Sequence, residues 1–198
     1  SQFAIITDLE RQVKMALISR TLMPNIAIID PLILQTKPDW LIIASAIDAL
    51  THAIEAYLSR ISSPFTEINS LKAVELIMTH LEPALSTHSV EHLAGLSTAS
   101  TIAGMAFSNA GLGMDHAIAH SLGGVLDVMH GMVHPVLLPA VMRYNYPASP
   151  DKMARLGGII CLKPFGDVEE AALSGIQQLE SFFQEFPIPN RLRDIMSD

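Results

Sequence analysis

Cysteine is almost missing from this chain. Cys161 is the single one among 198 residues, which excludes an intrachain disulfide and any paired-cysteine zinc or redox site. A reducing, cytoplasmic setting is the simplest reading. Charge is scarce as well: Asp, Glu, Lys and Arg make up 16%, against the usual quarter or so. That scarcity points to extensive burial, a large oligomer interface, or both. Basic residues are outnumbered, 12 against 20 acidic, for a net charge of −8. With no Lys/Arg cluster and no aromatic platform, nucleic acid is not an expected partner. The opening SQFAIITDLERQ lacks the basic and apolar regions of a secretory signal. No internal repeat and no low-complexity tract is found. A long uncharged run does occur, Leu93 to Met114, and it is long enough to span a bilayer. It is dominated by Ala, Gly, Ser and Thr, so it reads as a tightly packed buried helix and no membrane is expected.

What is present is a chain 49% hydrophobic, long enough for one domain with a real core, or one domain and a piece of another. FAIITD (3–8) and NIAIID (25–30) are β-branched runs closed by Asp, and VKMALIS (13–19) is a third strand candidate. Two or three strands do not make a stable sheet alone. Residues 1–36 therefore read as the end of an incomplete α/β domain, and 37–198 as a helical domain. The expected helices are 39–60, with Asp39 as N-cap; 64–81, ended or kinked by Glu82-Pro83; 90–108; 113–122, stopped by Gly123-Gly124; 131–145, interrupted at Pro135 and Pro139; 150–157; 168–186; and a last short one in PNRLRDI. The fold class is mainly α.

The chemistry lies in histidine. Asp48 and His52 are four apart, so on a helix they share a face. His116 and His120 repeat that spacing, and His130 follows a glycine break and closes the set from a third direction. Asp48, His52, His116 and His130 form a mixed oxygen and nitrogen donor set suited to Fe²⁺ or Zn²⁺. The bland alternative is a group of helix-face side chains satisfied by their neighbours. It fits any single histidine better than the set, because most of the eight histidines lie in or beside apolar helices, where an unpaired polar group is costly. His134, four after His130, is left open. His80, His88 and His92 read as surface residues. Asp115 reads as capping, solvent-facing or a support to a ligand; Glu55 as a ligand-orienting or packing group; Asp127 as part of the loop before His130. The ten methionines read as core filler.

DALTHAIEAY (48–57), NAGLGMDHAIAHSLGG (109–124) and MHGMVHPVLLPAVMRYN (129–145) closely resemble the iron-containing, group III alcohol dehydrogenases. The resemblance runs over essentially the whole chain. It implies an N-terminal dinucleotide-binding α/β domain, of which residues 1–36 are the end, and an all-helical metal and substrate domain over 37–198. It implies Asp48, His52, His116 and His130 as metal ligands. It places His120 beside the nicotinamide and the substrate, a catalytic and cofactor-binding position. It also implies NAD or NADP with Fe²⁺ or Zn²⁺, a small alcohol or aldehyde substrate, and at least a homodimer.

Departures are visible. Nothing like the family's glycine-rich pyrophosphate loop is present. Ala46-Ile47 stands where Gly-Met is common, and Met129 where Pro often precedes His-Gly. Asp115 occupies a commonly apolar position, and His134 stands where Asn is usual.

The expected function is interconversion of an alcohol with an aldehyde or ketone by hydride transfer, the metal polarising the substrate oxygen. Ligating imidazoles must be neutral, so metal binding weakens in acid. Two other classes compete. One is a non-catalytic helical metal-binding or assembly module. The other is a metal-dependent hydrolase, for which only Asp115 or His134 is on offer as general base.

Overall fold

The structure is a computed structural model that describes residues 2–8, 10–11, 13–126 and 128–195. It opens with an antiparallel hairpin, β1 (Phe3–Asp8) and β2 (Val13–Ile18), in register from Phe3 opposite Ile18 to Asp8 opposite Val13. The Asp8 carboxylate accepts the Glu10 and Arg11 backbone N–H groups, both at 3.0 Å, and so shapes the turn. Of the three strand candidates, 25–30 does not form a strand. Residues 26–30 have no regular structure, and Ile26 and Ile28 are 81% and 87% exposed. Composition made this run fit for a sheet, but no strand among the described residues pairs with it. Its Asp30 instead caps a 3₁₀ turn, Pro31–Thr36, by accepting from the Leu32 N–H at 2.9 Å.

Helix α1 (Asp39–Leu58) runs through the centre. It is apolar around most of its circumference, and Ile43, Ile47, Leu50, Ile54 and Tyr57 are fully buried; each such side chain contributes about 1.5–3 kcal/mol by leaving water. Among the described residues it is the one helix long and apolar enough to cross a membrane, and most of it is buried against other helices. Its N-cap is Pro38, not Asp39. Proline presets the extended backbone of a cap, and Asp39 sits in the first turn, where its carboxylate meets His88 Nε2 at 3.0 Å.

Helix α2 (Pro64–Thr87) starts on a capping box between Ser63 and Thr66 and continues through Pro83 to His88, in the left-handed conformation. Helix α3 (Val90–Ala110) buries Ala99, Ala103, Ala106 and Ala110 along one stripe, small enough for a close approach to α1. This is the buried helix expected of the uncharged run. Helix α4 (Met114–Leu126) does not stop at Gly123-Gly124; among the described residues Gly111 is the one glycine with positive φ, so neither Gly123 nor Gly124 makes the left-handed turn that ends a helix. A 3₁₀ turn (His130–Met132) and α5 (His134–Asn145) replace the single interrupted helix expected there.

Helices α6 (Pro150–Ile160) and α7 (Val168–Gln184) close the bundle, and α8 (Leu192–Ile195) follows. The first two touch backbone to backbone: a Cβ on Gly157 would lie 1.9 Å from the Ala171 carbonyl oxygen, and one on Gly175 2.4 Å from Gly157 Cα. Arg143 grips Glu180 through two N–H donors at 2.6 and 2.7 Å, tying α5 to α7.

Candidate metal centre

The site forms where α1, α4, the 3₁₀ turn and the start of α5 meet beneath the hairpin. Asp48, His52 and Glu55 follow one another along one face of α1. At the far end of this row, the buried Glu55 carboxylate receives the N-terminus of α4. It accepts the Gly113 and Asp115 backbone N–H groups at 2.9 and 2.7 Å, and the Nδ1–H of His116 at 2.7 Å. The exposed N–H groups of a helix start attract a carboxylate. In the neutral ring, donating from Nδ1 leaves His116 Nε2 as a lone-pair atom. It lies 3.5 Å from Asp48 Oδ1, buried, with no hydrogen-bond partner among the described residues.

His130 enters from the turn, with Nε2 3.6 Å from the same Asp48 oxygen. Its Nδ1 is another buried atom without a hydrogen bond among the described residues. Gly131 is required here because a Cβ would lie 2.2 Å from the Ala44 carbonyl oxygen of α1. His134, wholly buried, brings Nε2 to 3.1 Å from Asp48 Oδ1 and donates from Nδ1 to the equally buried Asp115.

Asp48, His116, His130 and His134 each offer a donor atom, all within 4.8 Å of one another. Two ligands about 2.1 Å from one ion at 90–109° lie roughly 3.0–3.4 Å apart, close to the 3.1, 3.5 and 3.6 Å between Asp48 Oδ1 and the three Nε2 atoms. Three imidazoles around one shared carboxylate oxygen, with the buried His116 Nε2 without a hydrogen bond among the described residues, thus fit a divalent ion.

The electrostatics divide the imidazoles into two sorts. Burial pushes the Asp48 carboxyl up, but the His116 and His134 imidazoles outweigh it and hold the group far below the usual carboxylate range. Burial drives His52 down to about 4. Burial, then the neighbouring His134, drives His130 down to about 3, so both rings are neutral at pH 7. Burial opposes charge on His134 too, yet its bonds to Asp115 and Asp48 push it up to about 9. His116 is raised in the same way: burial opposes, while Asp48 and Glu55 favour the cation.

Of the four ligands expected, Asp48, His116 and His130 converge. His52 lies alongside, its ring stacked between Phe107 (4.3 Å) and His116 (4.4 Å) and its Nδ1 3.7 Å from Asp48 Oδ2. His120, one turn after His116, lines the same cleft, with its ring 4.7 Å from that of His130. The cleft, about 660 Å³, is bounded by Phe3, Lys14 and Phe107 as well as these imidazoles. His134 and Asp115 join the centre although neither was among the expected ligands; the spacing of four from His130 was the signal. Asp127 lies outside the described residues. His80 and His92, read as surface residues, are partly buried and share a hydrogen bond of 3.0 Å between their Nδ1 atoms.

A helical bundle with a carboxylate and several imidazoles at its mouth is the framework of a divalent-metal domain. The family model described as Fe-containing alcohol dehydrogenase, C-terminal, matches residues 42–197, and the chain belongs to this family. It is 38% identical over 200 aligned positions to 1,3-propanediol dehydrogenase of Klebsiella pneumoniae, covering 98% of this chain and 51% of that protein. It is 35% identical to the NAD-dependent methanol dehydrogenase of Bacillus methanolicus, covering 96% of this chain and 50% of that one. Among solved structures, that of a 1,3-propanediol oxidoreductase superposes with a TM-score of 0.94 at 37% identity, over all of this chain and 52% of the other. An alcohol dehydrogenase from Oenococcus oeni gives 0.93 at 31% identity, over all of this chain and 52% of its own. The chain spans about half the length of the curated relatives it matches.

Proposed function

We propose that this chain is the metal- and substrate-binding half of an NAD(P)-linked dehydrogenase that interconverts a small alcohol with an aldehyde or ketone. The observation that carries this reading is the convergence of His116, His130 and His134 on one Asp48 oxygen beside an open cleft, with His116 Nε2 buried and without a hydrogen bond among the described residues. Asp48, His116 and His130 would hold the ion, with His52 as the further ligand that the resemblance implies. Fe²⁺ and Zn²⁺ both suit such a set. Bound there, a divalent ion supplies Lewis acidity toward the substrate oxygen, and a nicotinamide nucleotide supplies the hydride carrier.

The chain's own residues do the rest. Glu55 holds His116 in the tautomer that presents Nε2. Phe3 and Phe107 exclude water from one wall of the cleft. His120 stands at its edge, half-buried; burial first, then the charges of His116 and Lys14, lowers its pKa. A neutral imidazole there takes up the hydroxyl proton during oxidation and returns it during reduction.

Residues 1–36 belong, in this reading, to the dinucleotide-binding part of the enzyme, and 37–198 to the helical part. The exposed apolar side chains of Ile61, Phe65 and Ile68 support self-association as a homodimer. The lone Cys161 supports a cytoplasmic setting.

The test is metal content after anaerobic purification, for the unmutated chain beside His116→Ala and His130→Ala. About one iron or zinc per chain, lost in both variants, is expected. No metal in any sample after Fe²⁺ and Zn²⁺ loading refutes the site. Alcohol-dependent NAD⁺ or NADP⁺ reduction, with the nucleotide-binding half of a relative supplied, then separates the enzyme from a non-catalytic metal-binding module, which would hold the ion and reduce nothing.

A further inference from the structure

We infer that His134, held in place by Asp115, is a further donor to the metal of this site. The inference rests on the metal reading above and adds to it a residue pair that the family pattern does not supply.

Three observations converge. Of the imidazoles facing Asp48 Oδ1, His134 is the nearest, with Nε2 at 3.1 Å against 3.5 Å for His116 and 3.6 Å for His130. Its ring centroid lies 4.6 Å from that of His116 and 4.5 Å from that of His130, so the three rings surround one point. Secondly, its other nitrogen is engaged by a carboxylate. A ligating histidine commonly gives its second N–H to a carboxylate or carbonyl, which fixes the tautomer and makes the metal-facing nitrogen more basic. Glu55 does this for His116, and Asp115 does it for His134. Thirdly, Asp115 has no exposed surface, and its Oδ2 has no hydrogen-bond partner among the described residues. A carboxylate is rarely buried this deeply without a charged partner; His134 together with a dication behind it provides one.

The pair also joins two departures noted in the sequence. Asp115 replaces a commonly apolar residue and His134 a usual asparagine, and in space these two side chains touch. Each substitution alone would bury an unmatched polar group; together they extend the donor set. Asp115 is a positioning residue in this scheme, since it reaches the ion only through His134.

The experiment is a Co²⁺ titration of the full chain, read by affinity and by the visible ligand-field spectrum, with circular dichroism to report folding. His134→Asn should keep the helical signal, lower Co²⁺ affinity by at least tenfold, and change the spectrum because a donor is lost. Asp115→Asn keeps the ring and removes its anionic support; it should weaken Co²⁺ binding by roughly 10–100-fold. His116→Ala is the control for the site itself. A folded His134→Asn with unchanged affinity and spectrum, beside a His116→Ala that loses Co²⁺, overturns this inference and leaves the proposed function standing. An unmutated chain that binds no Co²⁺ overturns both.

A readout that needs no variant covers the case of misfolding. On Zn²⁺ loading of the ¹⁵N-histidine-labelled chain, the His134 Nε2 resonance should move with those of His116 and His130. If theirs move and His134 stays, the inference is wrong.

Discussion

Replacing Glu55 should damage stability and metal binding together, because one carboxylate serves both. Its two oxygens satisfy three donors: the Gly113 N–H, the Asp115 N–H and His116 Nδ1. The side chain is 6% exposed. Each buried donor left unmet costs about 1–3 kcal/mol, so Glu55→Ala carries a gross penalty of about 3–9 kcal/mol. Relief comes from the adjoining surface cleft of about 420 Å³, lined by Glu55 and Gly113, through which water can reach the freed N–H groups. The net loss should therefore fall near the bottom of that range, about 3–5 kcal/mol, which is also what severing one partner of a buried ion pair costs. With its anchor gone, the His116 ring is free to turn, and metal affinity should fall by roughly 10–100-fold. Glu55→Gln preserves the shape but offers one acceptor oxygen, so it should sit between the two. Urea denaturation and metal titration on the same samples read both effects. A Glu55→Ala chain within about 1 kcal/mol of the parent, with unchanged metal affinity, would show that α4 is held by its packing alone and refute the argument.

Two further outcomes follow from particular contacts. Gly131→Ala places a methyl group where the Ala44 backbone already stands, so the turn carrying His130 must lift from α1; a loss of about 1–3 kcal/mol with weakened metal binding is expected, and an unchanged melting temperature would count against the contact. Glu67 sits beside Lys152 Nζ at 2.7 Å, and that hydrogen bond, opposed by partial burial and aided by Ser62, lowers its pKa from the ordinary 4.5. A depressed acid stabilises the fold above its unfolded pKa and loses that contribution as pH falls through the folded one. Stability measured below about pH 5 should thus fall less steeply in Glu67→Gln, by up to about 1 kcal/mol; equal slopes would remove the pair from the account.

The helical character was legible because α1 and α3 announce burial in their composition, and α7 announces a half-buried face in its periodicity. The failures share one physical cause: local signals set what a segment is able to do, and tertiary contacts decide whether it does so. NIAIID is as β-branched as FAIITD, yet FAIITD finds Val13–Ile18 at hydrogen-bonding distance and NIAIID finds no strand among the described residues. Proline 83 and the Gly123-Gly124 pair are legitimate stop signals, but α2 and α4 run through them. A glycine ends a helix when the chain needs a left-handed residue, and here the chain does not turn.

For the centre, spacing alone paired Asp48 with His52 and His116 with His120, and so marked one face on each of two helices. It did not say which ring of each pair would turn inward. That depends on what holds the ring from behind. His116 is backed by Glu55 and His134 by Asp115, so each presents Nε2 toward Asp48. His52 has no such support: it lies flat between two rings, with its own Nδ1 toward the outer oxygen of Asp48. His80 and His92 make the comparison sharper. They are as close to each other as His134 is to Asp48, and they too lie between helices, but among the described residues neither ring hydrogen-bonds a carboxylate. They share one hydrogen bond between their Nδ1 atoms, and burial first, then the neighbouring His92, lowers the pKa of His80. Residue type is the same in both clusters. For His116 and His134 the carboxylate behind the imidazole, a second layer of contacts that a linear pattern does not encode, sets which nitrogen faces Asp48, whereas His130 reaches the same oxygen with no such bond among the described residues.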